Sequence, residues 1–448
     1  MNKNLVTFIV FIVLLVFFIN GFSNSYTYHN ISNLAYVLAL AIDVGEKAEM
    51  KITAQFTKDS SFSTGSDSSS GESNKPILVS CQADSLFSGL NLINTYIGKE
   101  VNLSHCSVVV FSEDFAKKGI ASQIYSLTNN QEISPSANIV VSKCSAYDYL
   151  NNVRPNIEKI SVEYYDTFSI TNKFTGYFSN ISIGDFYNAL SCDVCYPTAI
   201  LGGLDLSAKE KLSKNSENSK ESSSSDSSSN SSEESSSQSS SNENPQENLS
   251  DNVITNTEDL IAGSSSVEDT RGTENIGIAI FDNEKLRGEL TAIETVCHLL
   301  IQNEIDTCII SIDNPLDSEK KTELSLYPKK KSKVSVKIED DIPKISVEIN
   351  LDADILTIED DVNYSSEEVL TIYSEATEDY LEEHFKEYFN KISKEYSTDI
   401  DGFSHDALSN FLTDAEWKAF KWNEKFKCSE FDISVNLDTI STLLVKKT

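Results

Sequence analysis

The sequence predicts an α+β protein: mixed and antiparallel sheets with packed helices, in two or three small domains split by a disordered Ser-rich linker. Three observations carry that expectation. In the first half, β-prone runs alternate with segments of helical period. In the second half, three stretches alternate with period two. Between the halves, residues 207–272 form a polar tract in which 14 of the 20 residues 221–240 are Ser, too polar to offset its ordering entropy. The division is 1–23, a signal peptide or N-terminal membrane anchor; 24–206, an N-terminal α+β region; 207–272, the acidic linker; and 273–448, a C-terminal α+β domain.

Residues 5–19 (LVTFIVFIVLLVFFI) follow Lys3 and are apolar apart from Thr7. At about 1.5 Å per residue that run is about 22 Å long, matching a secretory signal and falling short of a full bilayer core. Gly21-Phe22-Ser23 offers a cleavage triplet, and an uncleaved anchor is the competing reading. Either way the remainder is exported.

Residues 34–42 (LAYVLALAI) and 48–56 (AEMKITAQF) flank Gly45 and predict a hairpin. The serine-rich run 58–75 then reads as an overgrown loop before a strand at 76–81. Leu86, Phe87, Leu90, Ile93 and Ile97 recur at helical spacing, with Asp84 or Ser85 as cap and Gly98 as stop. A strand is expected at 105–111, a second helix from Ser112 through Phe115, Ile120 and Ile124, a strand at 138–142 and a third helix from Ser145. Beyond the linker come a strand at 276–281, a turn at Asp282-Asn283 and a helix at 291–302. The period-two stretches are 322–326, 333–339 and 344–351, predicting a sheet with one buried and one wet face. A long helix follows, with Ser365 and Glu368 as a capping box and a stripe from Val369 to Ile392; a strand returns at 431–437.

Charge narrows the function. The chain carries 36 Lys and Arg against 69 Asp and Glu, a net charge of −33, and so repels phosphate backbones; no nucleic-acid partner is expected. Of eight cysteines, several sit inside apolar runs and read as small core residues. Cys192 and Cys195 form a lone CxxC, read as a local disulfide or two free thiols: a redox motif needs a thioredoxin-like context and structural zinc a second ligand pair. His29, His105, His298, His384 and His405 are dispersed, with His298 expected on a packed helix. Glu367-Glu368 and Glu382-Glu383 read as a solvated helix face, Lys329-Lys330-Lys331 as a hairpin turn with anionic lipid headgroups as the alternative contact, and Trp417 and Trp422 as core anchors too far apart to share a helical face. No catalytic, cofactor-binding or metal-ligating set is expected.

The order of motifs resembles the Ger(x)C family, the C subunit of nutrient germinant receptors. Leu34 to Val37 with Ala41-Ile42-Asp43 is similar to the family's opening strand and turn, and Leu103 to Ser112 with Glu113 and Phe115 to Ile120 to its next strand and helix. Residues 138–150 (NIVVSKCSAYDYL) resemble a third segment, with Cys144 where glycine is usual. Ile183 to Phe186 and Pro197 to Leu201 resemble the close of the N-terminal region. Gly277 to Phe281, Lys285 to Leu290 and Glu294-Thr295 form the most specific match. Asp399 to Phe403, Trp417 through Trp422, and Phe426 agree with the C-terminal pattern.

The resemblance implies an α+β fold of three small domains, two of them in the N-terminal half. It also implies a non-catalytic, membrane-attached subunit on the outer face of the spore inner membrane, working through contacts with two integral-membrane receptor subunits. One position departs from the pattern: Phe22 stands where the family's lipobox places the cysteine that carries diacylglycerol, so no lipidation site is expected. An extracytoplasmic small-ligand-binding protein is the alternative reading, which calls for one large apolar pocket with converging polar groups. An exported thiol oxidoreductase centred on Cys192 and Cys195 is a third.

Overall fold

The computed structural model describes residues 11–12, 33–56, 77–154, 161–206, 208–209, 260–267, 272–357, 362–364 and 366–440. Most of the apolar run 5–19, Phe22, His29, the loop 58–75, nearly all of 207–272 and Ser365 lie outside the described residues. The chain is α+β, with one nine-stranded and one four-stranded sheet.

β1 (Leu34–Val44) and β2 (Met50–Phe56) form the expected antiparallel hairpin, and β3 (Ile77–Ala83) pairs outside β2. The short β4 (Glu100–Asn102) pairs with the start of β1. On the other side of β1, β5 (Val108–Ser112), β6 (Asn138–Ser142) and β7 (Thr198–Leu204) follow in parallel and are buried throughout. Their unbroken apolar runs have a simple cause: helices cover both faces. α1 (Leu86–Ile97), α2 (Glu113–Lys118), α3 (Ala121–Thr128) and α7 (Ile183–Leu190) pack on one face; α4 (Ala146–Asn152), α5 (Ser161–Asp166) and α6 (Phe168–Thr175) pack on the other.

α1 begins and ends where its caps dictate. Ser85 Oγ accepts from Ser88 N at 3.3 Å, and Gly98 takes the left-handed conformation at φ 64°. The single helix expected from Ser112 to Ile124 is instead two, because Gly119 turns out at φ 119° and Ile120 N donates to Glu284 O.

β8 (Thr273–Asp282) lies antiparallel to β7, and β9 (Lys285–Leu290) antiparallel to β8. The expected boundary at 272/273 therefore does not separate the sheets; the second sheet begins only at Cys308. Composition placed the break at the linker, yet the strands on either side of it are sheet neighbours. β8 also alternates between cores: Ala279 and Phe281 join the first, while Ile278 and Ile280 join the second.

The second sheet runs β10 (Cys308–Asp313), β11 (Lys321–Glu339), β12 (Ile342–Ile355), β13 (Glu430–Ile440). Its buried face carries Val336, Ile345, Val347, Ile349, Leu351, Ile433, Val435 and Leu437. The stretches read separately as 322–326 and 333–339 are one strand, and Lys329-Lys330-Lys331 sits at its bulge rather than in a turn. Pro328 and the shifted register there only bend the ladder; the turn lies at Asp340-Asp341, both at positive φ. Lys329 pairs with Asp352 at 3.1 Å and also with Asp438.

α8 (Ala292–Gln302) packs between β8 and the second sheet. α9 (Glu367–Asn390) has Ser366 as its N-cap residue, with no bond from that side chain; the capping box expected from Ser365 and Glu368 rests on a residue outside the described ones. A π-helical turn (Lys391–Tyr396) follows, then α10 (Phe403–Ala407), α11 (Asp414–Phe420) and α12 (Trp422–Phe426).

α9 also closes an edge. β13 is the last strand of its sheet, and Val435 N, Leu437 N and Thr439 N donate to Glu382 Oε1, Glu378 Oε1 and Ser374 Oγ at 3.4, 2.7 and 3.1 Å. Four helical residues rise about 6 Å and two strand residues about 6.6 Å, so acceptors every fourth residue meet donors every second one. Glu382 thus belongs to this edge rather than to a purely solvated face, while Glu367, Glu368 and Glu383 are exposed.

Candidate functional site

Several of the side chains singled out in the sequence gather in two places. The first is the junction where β8, β9 and α8 meet the end of α9 and α10. A Cβ on Gly288 would stand 2.3 Å from Tyr396 Cζ, so only glycine lets the π turn seat its ring on β9. Glu294 accepts from Thr291 N at 2.8 Å, capping α8, and from Lys391 Nζ at 2.9 and 2.7 Å. Asp399, fully buried, accepts from Phe403 N, Ser404 N and Trp422 Nε1 at 2.9, 2.7 and 2.9 Å. Burial pushes its pKa up to about 7, although these donors pull the other way.

Beside it, Asp401 accepts from His298 Nδ1 and Tyr388 OH, both at 2.8 Å, and Gln302 Nε2 donates to its carbonyl at 2.8 Å. His298 does lie on a packed helix, as expected. Its carboxylate partner 103 residues away was invisible in the sequence. Trp417 and Trp422 meet at 5.8 Å between centroids: Lys421, left-handed at φ 56°, breaks the helix between them, so helical spacing does not govern the pair.

The second place is a cleft of about 330 Å³ at the carboxyl ends of β1, β5 and β6, lined by Asp43, Lys51, Ser112, Glu113, Lys143 and Cys144 among others. Open α/β sheets hold ligands there, with anions on a helix N-terminus. In this chain Asp43 takes that position itself, accepting from Ala146 N at 2.7 Å and Tyr147 N at 3.0 Å. Burial raises its pKa, against those two bonds and Lys51. Lys143 pairs with Glu289 at 2.7 Å, and Lys51 lies 4.4 Å over the Tyr147 ring. The lining is charged, in contrast to the apolar pocket that a small-ligand-binding protein calls for.

The cysteines divide into two kinds. Cys106 and Cys308 are buried, and desolvation pushes their thiols up to about 12; burial also raises Cys297 well above the ordinary thiol value, and Cys144 to about 11. These are small core or near-core residues. Cys192 and Cys195 form a disulfide, and His405 from α10 lies beside it, Nε2 3.8 Å from Cys195 Sγ. His105 packs edge-on against Tyr36, and His384 against Tyr380. Among the described residues, no helix is long and apolar enough to cross a membrane.

Residues 27–206 match the family model described as the spore germination protein N-terminal domain, and residues 276–442 match that described as spore germination B3/GerAC like, C-terminal. No curated protein matches the chain. A solved structure titled "Crystal Structure of the GerBC protein" is similar at 16% identity and a TM-score of 0.49, over 90% of this chain and 96% of that one.

Proposed function

The chain belongs to the Ger(x)C family of spore germination proteins, with a role in spore germination, and from that premise we propose that it is the membrane-attached, non-catalytic C subunit of a nutrient germinant receptor. The observation that carries this reading is the pair of family matches, in order, over 27–206 and 276–442. The structure adds support of a different kind. The residues at the most specific motif positions are occupied in packing: Gly288 seats Tyr396 on β9 of the first sheet, Glu294 ties α8 to Lys391, and Asp399 holds Phe403, Ser404 and Trp422 together within the second part. That is what a scaffold for protein contacts requires of them.

In this reading the chain lies on the outer face of the spore inner membrane beside two integral-membrane subunits. Phe22 offers no sulfur for a thioether lipid, so the apolar run 5–19 itself is the tether. The test is made in spores. Deleting the chain is expected to abolish the response to a nutrient that the receptor serves, and cross-linking of the membrane fraction should join it to two multi-spanning proteins. An unchanged nutrient response, or recovery from the soluble fraction without cross-linked partners, overturns the reading. N-terminal sequencing of the membrane-fraction protein checks the tether: a chain beginning at Asn24 would leave retention to the partners alone.

A further inference from the structure

Cys192 and Cys195 lie in the loop between α7 and β7, and their Cα atoms are 5.3 Å apart. His405 arrives from the other unit, 210 residues away in sequence, and the three donor atoms lie within 4.8 Å of one another. We propose that Cys192, Cys195 and His405 form a redox-gated metal clip: once the disulfide is reduced, the two thiolates and His405 Nε2 hold one Zn²⁺-like cation, with the fourth position left to water.

The donor geometry fits. With metal–sulfur at about 2.3 Å and metal–nitrogen at about 2.0 Å, tetrahedral ligation separates sulfur from nitrogen by roughly 3.5 Å. Cys195 Sγ and His405 Nε2 stand 3.8 Å apart before any adjustment. Two residues between cysteines is also the spacing by which zinc sites chelate from one loop, and thiolate with imidazole is a donor set that suits zinc. The second ligand pair that the sequence lacked is thus half supplied by the fold.

The backbone that carries the imidazole is also held in place. His405 N donates to Gly402 O at 2.9 Å, and Asp399 fixes the residues before it by accepting from Phe403 N and Ser404 N. From α12, Asn423 Nδ2 reaches Asp193 O at 3.4 Å, a second tie between the same two units at the same loop. Both cysteines are only half-buried, within reach of a dissolved reductant, unlike the deeply buried Cys106, Cys297 and Cys308.

The chemistry balances. A dithiol reductant gives two electrons and two protons to the S–S bond and becomes a disulfide; the two protein thiols then release their protons as the cation binds. Oxidation reverses the sequence and expels the metal. The reduced, loaded state ties the α7–β7 loop to α10, whereas the oxidised state leaves the Cys195–His405 contact and the Asn423 bond.

The experiment uses the full chain in detergent, oxidised or reduced, titrated with Co²⁺ and then Zn²⁺. One equivalent of Co²⁺ is expected to give thiolate charge-transfer absorption only after reduction, and Zn²⁺ to displace it. Cys192→Ser with Cys195→Ser should remove the signal, and Cys428→Ser, which alters the exposed cysteine, should retain it. His405→Ala should weaken Zn²⁺ binding by more than the roughly 10–100-fold that loss of an outer-shell partner costs, and His405→Cys should restore it. Circular dichroism establishes that each variant is folded. Absorption persisting in the double serine variant, equal affinity in His405→Ala, or a folded, reduced protein that takes up no cobalt would each overturn the proposal.

Discussion

The two sheets solve the same burial problem differently. The first is covered by helices on both faces, and its central strands β5, β6 and β7 are apolar and buried throughout. The second is covered on one face, so β12 alternates buried with intermediate or exposed residues along its length. The difference teaches where substitutions should hurt. In the first sheet a central residue of either parity is load-carrying, whereas in the second only alternate residues are. β8 belongs to both systems, one parity facing each core.

That shared strand sets up the largest expected effect. If a protease site is placed within 221–240 and cut, the fragments should co-elute under native conditions and separate only in denaturant. β7 and β8 are hydrogen-bonded neighbours on either side of the cut, and the second core includes Ile278 and Ile280. Fragments that separate natively would restore the division at 272/273 that composition suggested.

Next comes the contrast between the faces. Phe281 is fully buried, edge-on to Phe186 at 4.9 Å between centroids. Phe281→Ala should cost about 4 kcal/mol in denaturant unfolding, while Lys337→Thr on the wet face of β11 should stay within about 0.5 kcal/mol. Comparable losses at both positions would dissolve the comparison.

The smallest effect concerns pH. Asp399 has an ordinary carboxylate value of 3.8, and burial raises it to about 7 in the folded chain. Between those values the folded state binds the extra proton. Its contribution to stability is therefore complete below 3.8 and lost as pH rises through about 7. Asp399→Asn should flatten that part of the stability–pH curve and cost about 2 kcal/mol, since an amide nitrogen would face one of three buried donors. Thermal melts at pH 4, 5, 6 and 7 check both, and an unchanged slope in the variant would assign the pH dependence to other groups.

Much of the chain was legible where the signal is local. Ser85 and Gly98 marked α1, residues 138–142 became β6 as read, and the hairpin around Gly45 formed. Period-two alternation identified the wet-faced sheet, although one long bulged strand looked like two. The candidate sites were less legible. His298 with Asp401, Glu294 with Lys391, and His405 with Cys195 are each separated by about a hundred residues or more, and a single sequence carries no signal for such pairs.

The sequence by itself determined the class of most described segments, which runs are strands or helices, and that Phe22 cannot carry a thioether lipid. It could do so because propensity, capping and solubility act over a few residues. Only the tertiary structure decided that β7 and β8 pair, that α9 supplies acceptors to the edge of β13, and that an imidazole from one unit meets two sulfurs from the other. Those outcomes depend on where unpaired backbone donors and apolar faces meet in space, and chain order does not fix that.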